Sequence, residues 1–79
     1  MDRTTTETAV KTCIHEISTR LDQAATIAKA ADLCASAGTI AKAVEIALDI
    51  EQLAYEISRL LDAASLLNRI ANESDRSLR

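Results

Sequence analysis

Of the 79 residues none is proline and one, Gly38, is glycine. Proline breaks a helix by removing a donor and clashing with the preceding turn, and glycine is the residue that most readily takes the left-handed conformation needed to reverse a chain. A chain with a single such point, close to its middle, has one obvious place to turn. It predicts two long helices, the first over about 4–37, a turn at 38–39, a second helix over about 40–73, and a frayed polar tail over 74–79.

Thr4 and Glu7 have the spacing of a capping box: the Thr4 hydroxyl accepts from the Glu7 backbone N–H, and the Glu7 side chain reaches back. From there Val10, Ile14, Ile17, Leu21, Ala24, Ala28, Ala31 and Ala35 recur at alternating spacings of four and three, a seam for a partner helix. Continuing that phase would put Gly38 and Lys42 in the core, so it breaks there. Gly38 fits the position after a helix C-terminus and Thr39 a new N-cap. A second phase runs Ile46, Ile50, Leu53, Ile57, Leu60, Ala64, Leu67 and Ala71, with Ala47, Ala54 and Leu61 beside it.

The second helix is thus apolar over a wider arc than one partner helix covers. Covering it takes both the hairpin partner and a second subunit, and the expected fold class is all-α: an antiparallel two-helix hairpin that dimerises to a four-helix bundle. The core must be built without Phe or Trp, from Ala, Leu, Ile and Val, and a single domain of 79 residues is marginal as a monomer. The chain also matches itself. Thr26-Ile27-Ala28-Lys29-Ala30 returns as Thr39-Ile40-Ala41-Lys42-Ala43. His15-Glu16-Ile17-Ser18 returns forty residues on as Tyr55-Glu56-Ile57-Ser58, with Leu21/Leu61, Asp22/Asp62, Ala24/Ala64, Ile27/Leu67 and Ala31/Ala71 continuing the match.

Net charge is −3, and Arg3, Lys11, Arg20, Lys29, Lys42, Arg59 and Arg69 are scattered, which makes nucleic acid a poor partner. No stretch approaches the length of a membrane span and no leader pattern opens the chain, so it reads as cytoplasmic and soluble. Cys13 and Cys34 lie too far apart on one straight helix to bridge, and read as small residues of a packing seam. Cys13 and His15, two apart, point in different directions on a helix, which leaves no metal site. No glycine-rich loop could cradle nucleotide phosphates, and no cofactor is expected.

His15 opens the only run in which reactive side chains gather at a chemically meaningful spacing, His15-Glu16-Ile17-Ser18-Thr19-Arg20-Leu21. Imidazole is a side chain that can act as nucleophile or base. This run resembles the H-box of sensor histidine kinases, His-Glu-Leu-Arg-Thr-Pro-Leu, on the first helix of their dimerisation and histidine-phosphotransfer domain. Arg59-Leu60-Leu61-Asp62 and Asn68-Arg69-Ile70 look like that family's second-helix segments. The resemblance implies a dimeric helical hairpin that exchanges phosphoryl groups between His15 and a response-regulator aspartate. Glu16 would be the adjacent acid that assists the imidazole, and Thr19 the residue that positions water for dephosphorylation. Without an ATP-binding domain the chain is no kinase by itself. Glu16 and Arg20 also stand at the spacing of an ordinary helix ion pair. The alternative is a non-enzymatic adaptor or regulatory hairpin acting through homo-oligomerisation and partner binding.

Overall fold

The computed structural model describes residues 2–77, with side chains through Glu73. Three helices follow one another, α1 over Arg3–Ser36, α2 over Ile40–Ala47 and α3 over Ile50–Ser77. Among the described residues there is no strand, so the chain is all-α. α1 packs against α2 and α3 in a hairpin 62 Å long and 14 × 13 Å across. No helix is long and apolar enough to cross a membrane among the described residues.

The turn follows the sequence closely. Gly38 has φ +91°. Its N–H donates to the Ala35 carbonyl and the Thr39 N–H to the Cys34 carbonyl, both at 3.0 Å, the paired bonds of a Schellman motif. Thr39 stands at the N-cap of α2 but does not cap it with its side chain; the hydroxyl instead donates to the Cys34 carbonyl at 2.9 Å.

Other boundaries differ from the sequence reading. α1 starts at Arg3 because Asp2, not Thr4, is its N-cap: the Asp2 carboxylate accepts from the Thr5 N–H at 3.0 Å and the Thr5 hydroxyl at 2.8 Å. A carboxylate there also meets the positive end of the helix dipole. Those bonds, the Thr5 N–H first, hold the Asp2 carboxyl below its ordinary pKa. Thr4 lies inside the helix, and Glu7 pairs with Arg3 at 3.3 Å.

The single second helix expected over 40–73 is two helices. At Leu48–Asp49 the ladder tightens to three-residue spacing, Asp49 N–H to Ile46 and Glu51 N–H to Leu48, both at 3.1 Å. Neither residue is Gly or Pro. The seam runs through the break undisturbed, Ala43, Ile46, Ile50, Leu53, Ile57, Leu60, Ala64, Leu67, Ala71, all buried or half-buried. Of the tail expected over 74–79, residues 74–77 continue α3; 78 and 79 lie outside the described residues.

The larger correction concerns α1. Its covered residues form a seam of Thr6, Val10, Cys13, Ile17, Arg20, Ala24, Ile27, Ala31 and Cys34, with Ala9 and Glu16 half-buried beside it. The Val10, Ile17, Ala24, Ala31 stripe is as expected, but Ile14, Leu21, Ala28 and Ala35 are exposed and the second stripe of the seam lies one residue earlier. Moved forward by forty, the first eight become Ile46, Ile50, Leu53, Ile57, Leu60, Ala64, Leu67 and Ala71, the α2/α3 seam residue for residue. The internal repeat is therefore the packing register: one helical pattern used twice and folded onto itself.

Candidate functional site

That register settles where the reactive run lies. With Cys13, Ile17 and Arg20 in the seam, His15 falls on the outer face, exposed, and its ring makes no hydrogen bond among the described residues. The Thr19 hydroxyl donates to the His15 carbonyl at 3.2 Å. It is the back-bond that Thr8, Thr12 and Thr26 also make four residues behind themselves.

Glu16 turns the other way, towards the seam, where its carboxylate accepts from Arg20 Nη1 at 2.8 Å. Arg20 Nη1 also reaches the Glu16 carbonyl at 3.1 Å, and Arg20 Nε donates to Glu56 Oε1 on α3 at 2.8 Å. Gln52 Nε2 completes the group on Glu56 Oε2, also at 2.8 Å. The Gln52 hydrogen bond, and then that from Arg20, hold the Glu56 carboxyl below its ordinary pKa.

Arg20 is the one charged residue in the α1 seam, and its side chain is 26% exposed. It is tolerable there because the aliphatic stem packs while the guanidinium leaves the seam sideways into two carboxylates. No described buried side-chain nitrogen or oxygen lacks a partner. The structure therefore joins Glu16 to Arg20, Glu56 and Gln52, and leaves the His15 ring and the Thr19 hydroxyl on the outer surface. The sequence marks Arg20 as the i,i+4 partner of Glu16, but not its bond across the hairpin to Glu56, nor Gln52. The signal for them is that Glu16 and Glu56 are repeat mates, while Arg20 occupies the repeat position of Leu60.

The opposite flank carries no such network. Ile14 and Leu21 on α1 are 52% and 53% exposed, and Leu61 on α3 is 57% exposed. They succeed one another at seven-residue spacing, one place beyond the seam, with Ala28 and Ala35 on α1 and Ala54 and Ala47 on the return strand of the hairpin. Towards the turn the same flank opens into an apolar groove of about 360 Å³ lined by Ala28, Ala31, Ala35, Ala43 and Ala47 together with Ile40, Val44 and Ile50.

Elsewhere, Arg59 holds Asp62 at 2.8 Å and lies 5.8 Å from the centre of the exposed Tyr55 ring. Cys13 and Cys34 are free and half-buried in the seam. No three His, Cys, Asp or Glu side chains among the described residues are grouped to hold a metal ion. The chain matches no known protein family, no characterised protein and no solved structure.

Proposed function

We propose that this chain is a non-catalytic helical-hairpin interaction module whose apolar flank is buried by a second copy of itself, giving a four-helix bundle that offers its outer faces to a protein partner. The observation that carries this reading is the exposed row Ile14, Leu21 and Leu61 beside a seam already filled. A helix that is apolar along its seam and along one adjoining stripe is patterned for two neighbours, as in a bundle, not for one.

The surface area argues the same way. The chain exposes 5873 Å², whereas a compact monomer of its 8.5 kDa mass exposes about 4,700 Å². The excess exceeds the ~800 Å² per partner that a stable interface buries. The described hairpin fully buries three alanines and one threonine and no larger side chain.

Sedimentation equilibrium tests this. The wild type should sediment at twice 8.5 kDa. Leu61→Glu places a charge in the interface without touching the seam, and desolvating it costs several kcal/mol, enough to raise the dimer dissociation constant by about 100-fold or more. A wild-type monomer, or a Leu61→Glu dimer of undiminished affinity, would remove this reading.

A second reading, phosphoryl exchange between His15 and a response-regulator aspartate, is favoured by one observation: the His15 ring is exposed and unengaged. A neutral imidazole so placed is open to attack phosphorus, with Glu16 adjacent in the chain and Thr19 one turn on. Incubation with a phosphorylated regulator should give acid-labile label that is absent from His15→Ala; no label across several regulators rejects it.

A further inference from the structure

The flank that the proposed bundle buries is not uniform along its length, and its gradient of side-chain size says how the two copies lie. Glu7 lines a groove with Asn68, and Ala28 lines one with Ala47. With seven-residue steps between them, Ile14 therefore lies level with Leu61, Leu21 with Ala54, and Ala28 with Ala47. The flank thus has a bulky layer towards the open end of the hairpin, a mixed layer at mid-length and, towards the turn, a layer of Ala28 and Ala47 at a groove that Ile40, Val44 and Ile50 also line.

Two hairpins can stack on this face with their turns at the same end or at opposite ends. With turns together, Ile14 and Leu61 of both copies meet in one layer and Ala28 and Ala47 of both in another. Four branched side chains then crowd one layer, while in the other the four methyl groups of Ala28 and Ala47 leave the groove between them unfilled. Protein interiors are packed to crystal-like density, and unfilled volume of this kind is costly.

With turns apart, the two-fold axis crosses at Leu21 and Ala54. Ile14 is then as far from the axis as Ala28, and Leu61 as far as Ala47. Each layer holds two branched side chains and two alanines, the alternation of large and small that lets facing layers interdigitate. The groove at the turn end has about 360 Å³ to receive the partner's Ile14 and Leu61, and a cavity of about 150 Å³ already accepts a benzene-sized group.

Charge agrees with size. Lys11 borders the groove of the open end and Asp32 that of the turn end, both exposed and neither in an ion pair among the described residues. They stand at nearly equal distances on either side of Leu21, so turns-apart stacking brings the Lys11 of each copy to the Asp32 of the other.

We infer that, given the self-associated bundle proposed above, the partner on the apolar flank is a second copy lying with its turn at the opposite end, Ile14 and Leu61 of each seated over Ala28 and Ala47 of the other. Two measurements test it. Zero-length carbodiimide cross-linking of the wild-type protein should join Lys11 to Asp32. Within one helix these are about 32 Å apart, so that link forms only between copies. Spin labels on Thr39→Cys, in a chain with Cys13→Ala and Cys34→Ala and of confirmed dimeric mass, should lie about 54 Å apart, twice the helical rise from Leu21 to the turn.

A dimer whose turn labels lie within about 20 Å, or whose Lys11 links only to groups at its own end of the hairpin, overturns the orientation while leaving the self-associated bundle standing. A monomeric mass at all concentrations overturns both. If the alanine replacements disturb folding, the cross-link on the wild type decides alone.

Discussion

The two long flanks of this hairpin border the same seam yet treat it oppositely. On one, Glu16, Arg20, Glu56 and Gln52 satisfy each other across the two helices at 2.8 Å. On the other, Ile14, Leu21 and Leu61 end in water. A polar group whose hydrogen bonds are met inside the hairpin gains little from a further partner, whereas each exposed branched side chain gains from every ångström of surface it hides. The difference shows that the hairpin is finished on one side and unfinished on the other. It also distinguishes the flanks: the ionic one ties α1 to α3 through Arg20 and Glu56, and the apolar one leaves its branched side chains uncovered within the hairpin.

The sharpest way to break this contrast is to damage the seam that both flanks share. Leu60 and Leu61 are neighbours in sequence, but Leu60 lies in the seam and Leu61 outside it. Leu60→Glu should abolish helicity at all protein concentrations, because it buries an unpaired carboxylate at a cost of several kcal/mol in a hairpin with few to spare. Circular dichroism reads it directly, and a helical Leu60→Glu protein would mean that the seam is misplaced.

Next in size is the turn, which neither flank contains. A Cβ at Gly38 would meet nothing within 4 Å, so the whole cost of Gly38→Ala comes from forcing a side chain into φ +91°. That is about 1–2 kcal/mol, visible as a lowered Tm with the oligomeric mass unchanged. A loss of mass instead would place the turn in the interface.

How much of this was legible follows from particular residues. Gly38 without a competing proline announced the hairpin, and the α2/α3 seam could be read position by position because Ile, Leu and Ala occupy it throughout. The α1 seam could not be read by hydropathy alone, since Ile14 and Leu21 are more apolar than Cys13 and Arg20, and the apolar choice is the exposed one. Only the network around Arg20 makes a charged seam residue acceptable, and that network spans helices 36 residues apart in sequence. The forty-residue repeat did hold the answer: laying the α2/α3 seam back onto α1 selects Thr6, Cys13, Arg20 and Ile27. The break at Leu48–Asp49 has no marker in the sequence. Of the reactive run, the outward placement of His15 was legible and the turning of Glu16 towards the seam was legible only as an ion-pair spacing.

The ionic flank can be sharpened by pH. The folded Glu56 carboxyl is held below its ordinary value, by Gln52 and then by Arg20. A group whose folded pKa is depressed contributes stability that is complete above its unfolded pKa, near 4.3, and is lost as pH falls through the folded value. Wild-type Tm should therefore drop on acidification below about pH 4.5 more steeply than that of Glu56→Gln, while the two share the same mass at neutral pH. Equal slopes would mean that the network contributes nothing beyond the seam it borders.

The smallest effects belong to the outer face, which neither flank reaches, and they separate the residues of the reactive run. Thr19 and His15 are exposed in the interior of α1, and the Thr19 hydroxyl bonds only a carbonyl of its own helix. Alanine is the better helix former at both positions, by up to about 0.7 kcal/mol, because threonine loses rotamer freedom against the preceding turn and its hydroxyl competes for the backbone. Thr19→Ala and His15→Ala should each leave the sedimenting mass unchanged and shift stability by no more than about 0.7 kcal/mol, towards greater stability if at all. Glu16→Ala, one residue from His15, should instead destabilise, since it strips one carboxylate from the Arg20 guanidinium. Thermal melts of the three variants side by side check this. If His15→Ala or Thr19→Ala proves as damaging as Glu16→Ala, the outer face of α1 is itself packed against another chain, and the contrast between a finished and an unfinished flank gives way to a hairpin surrounded on more than one side.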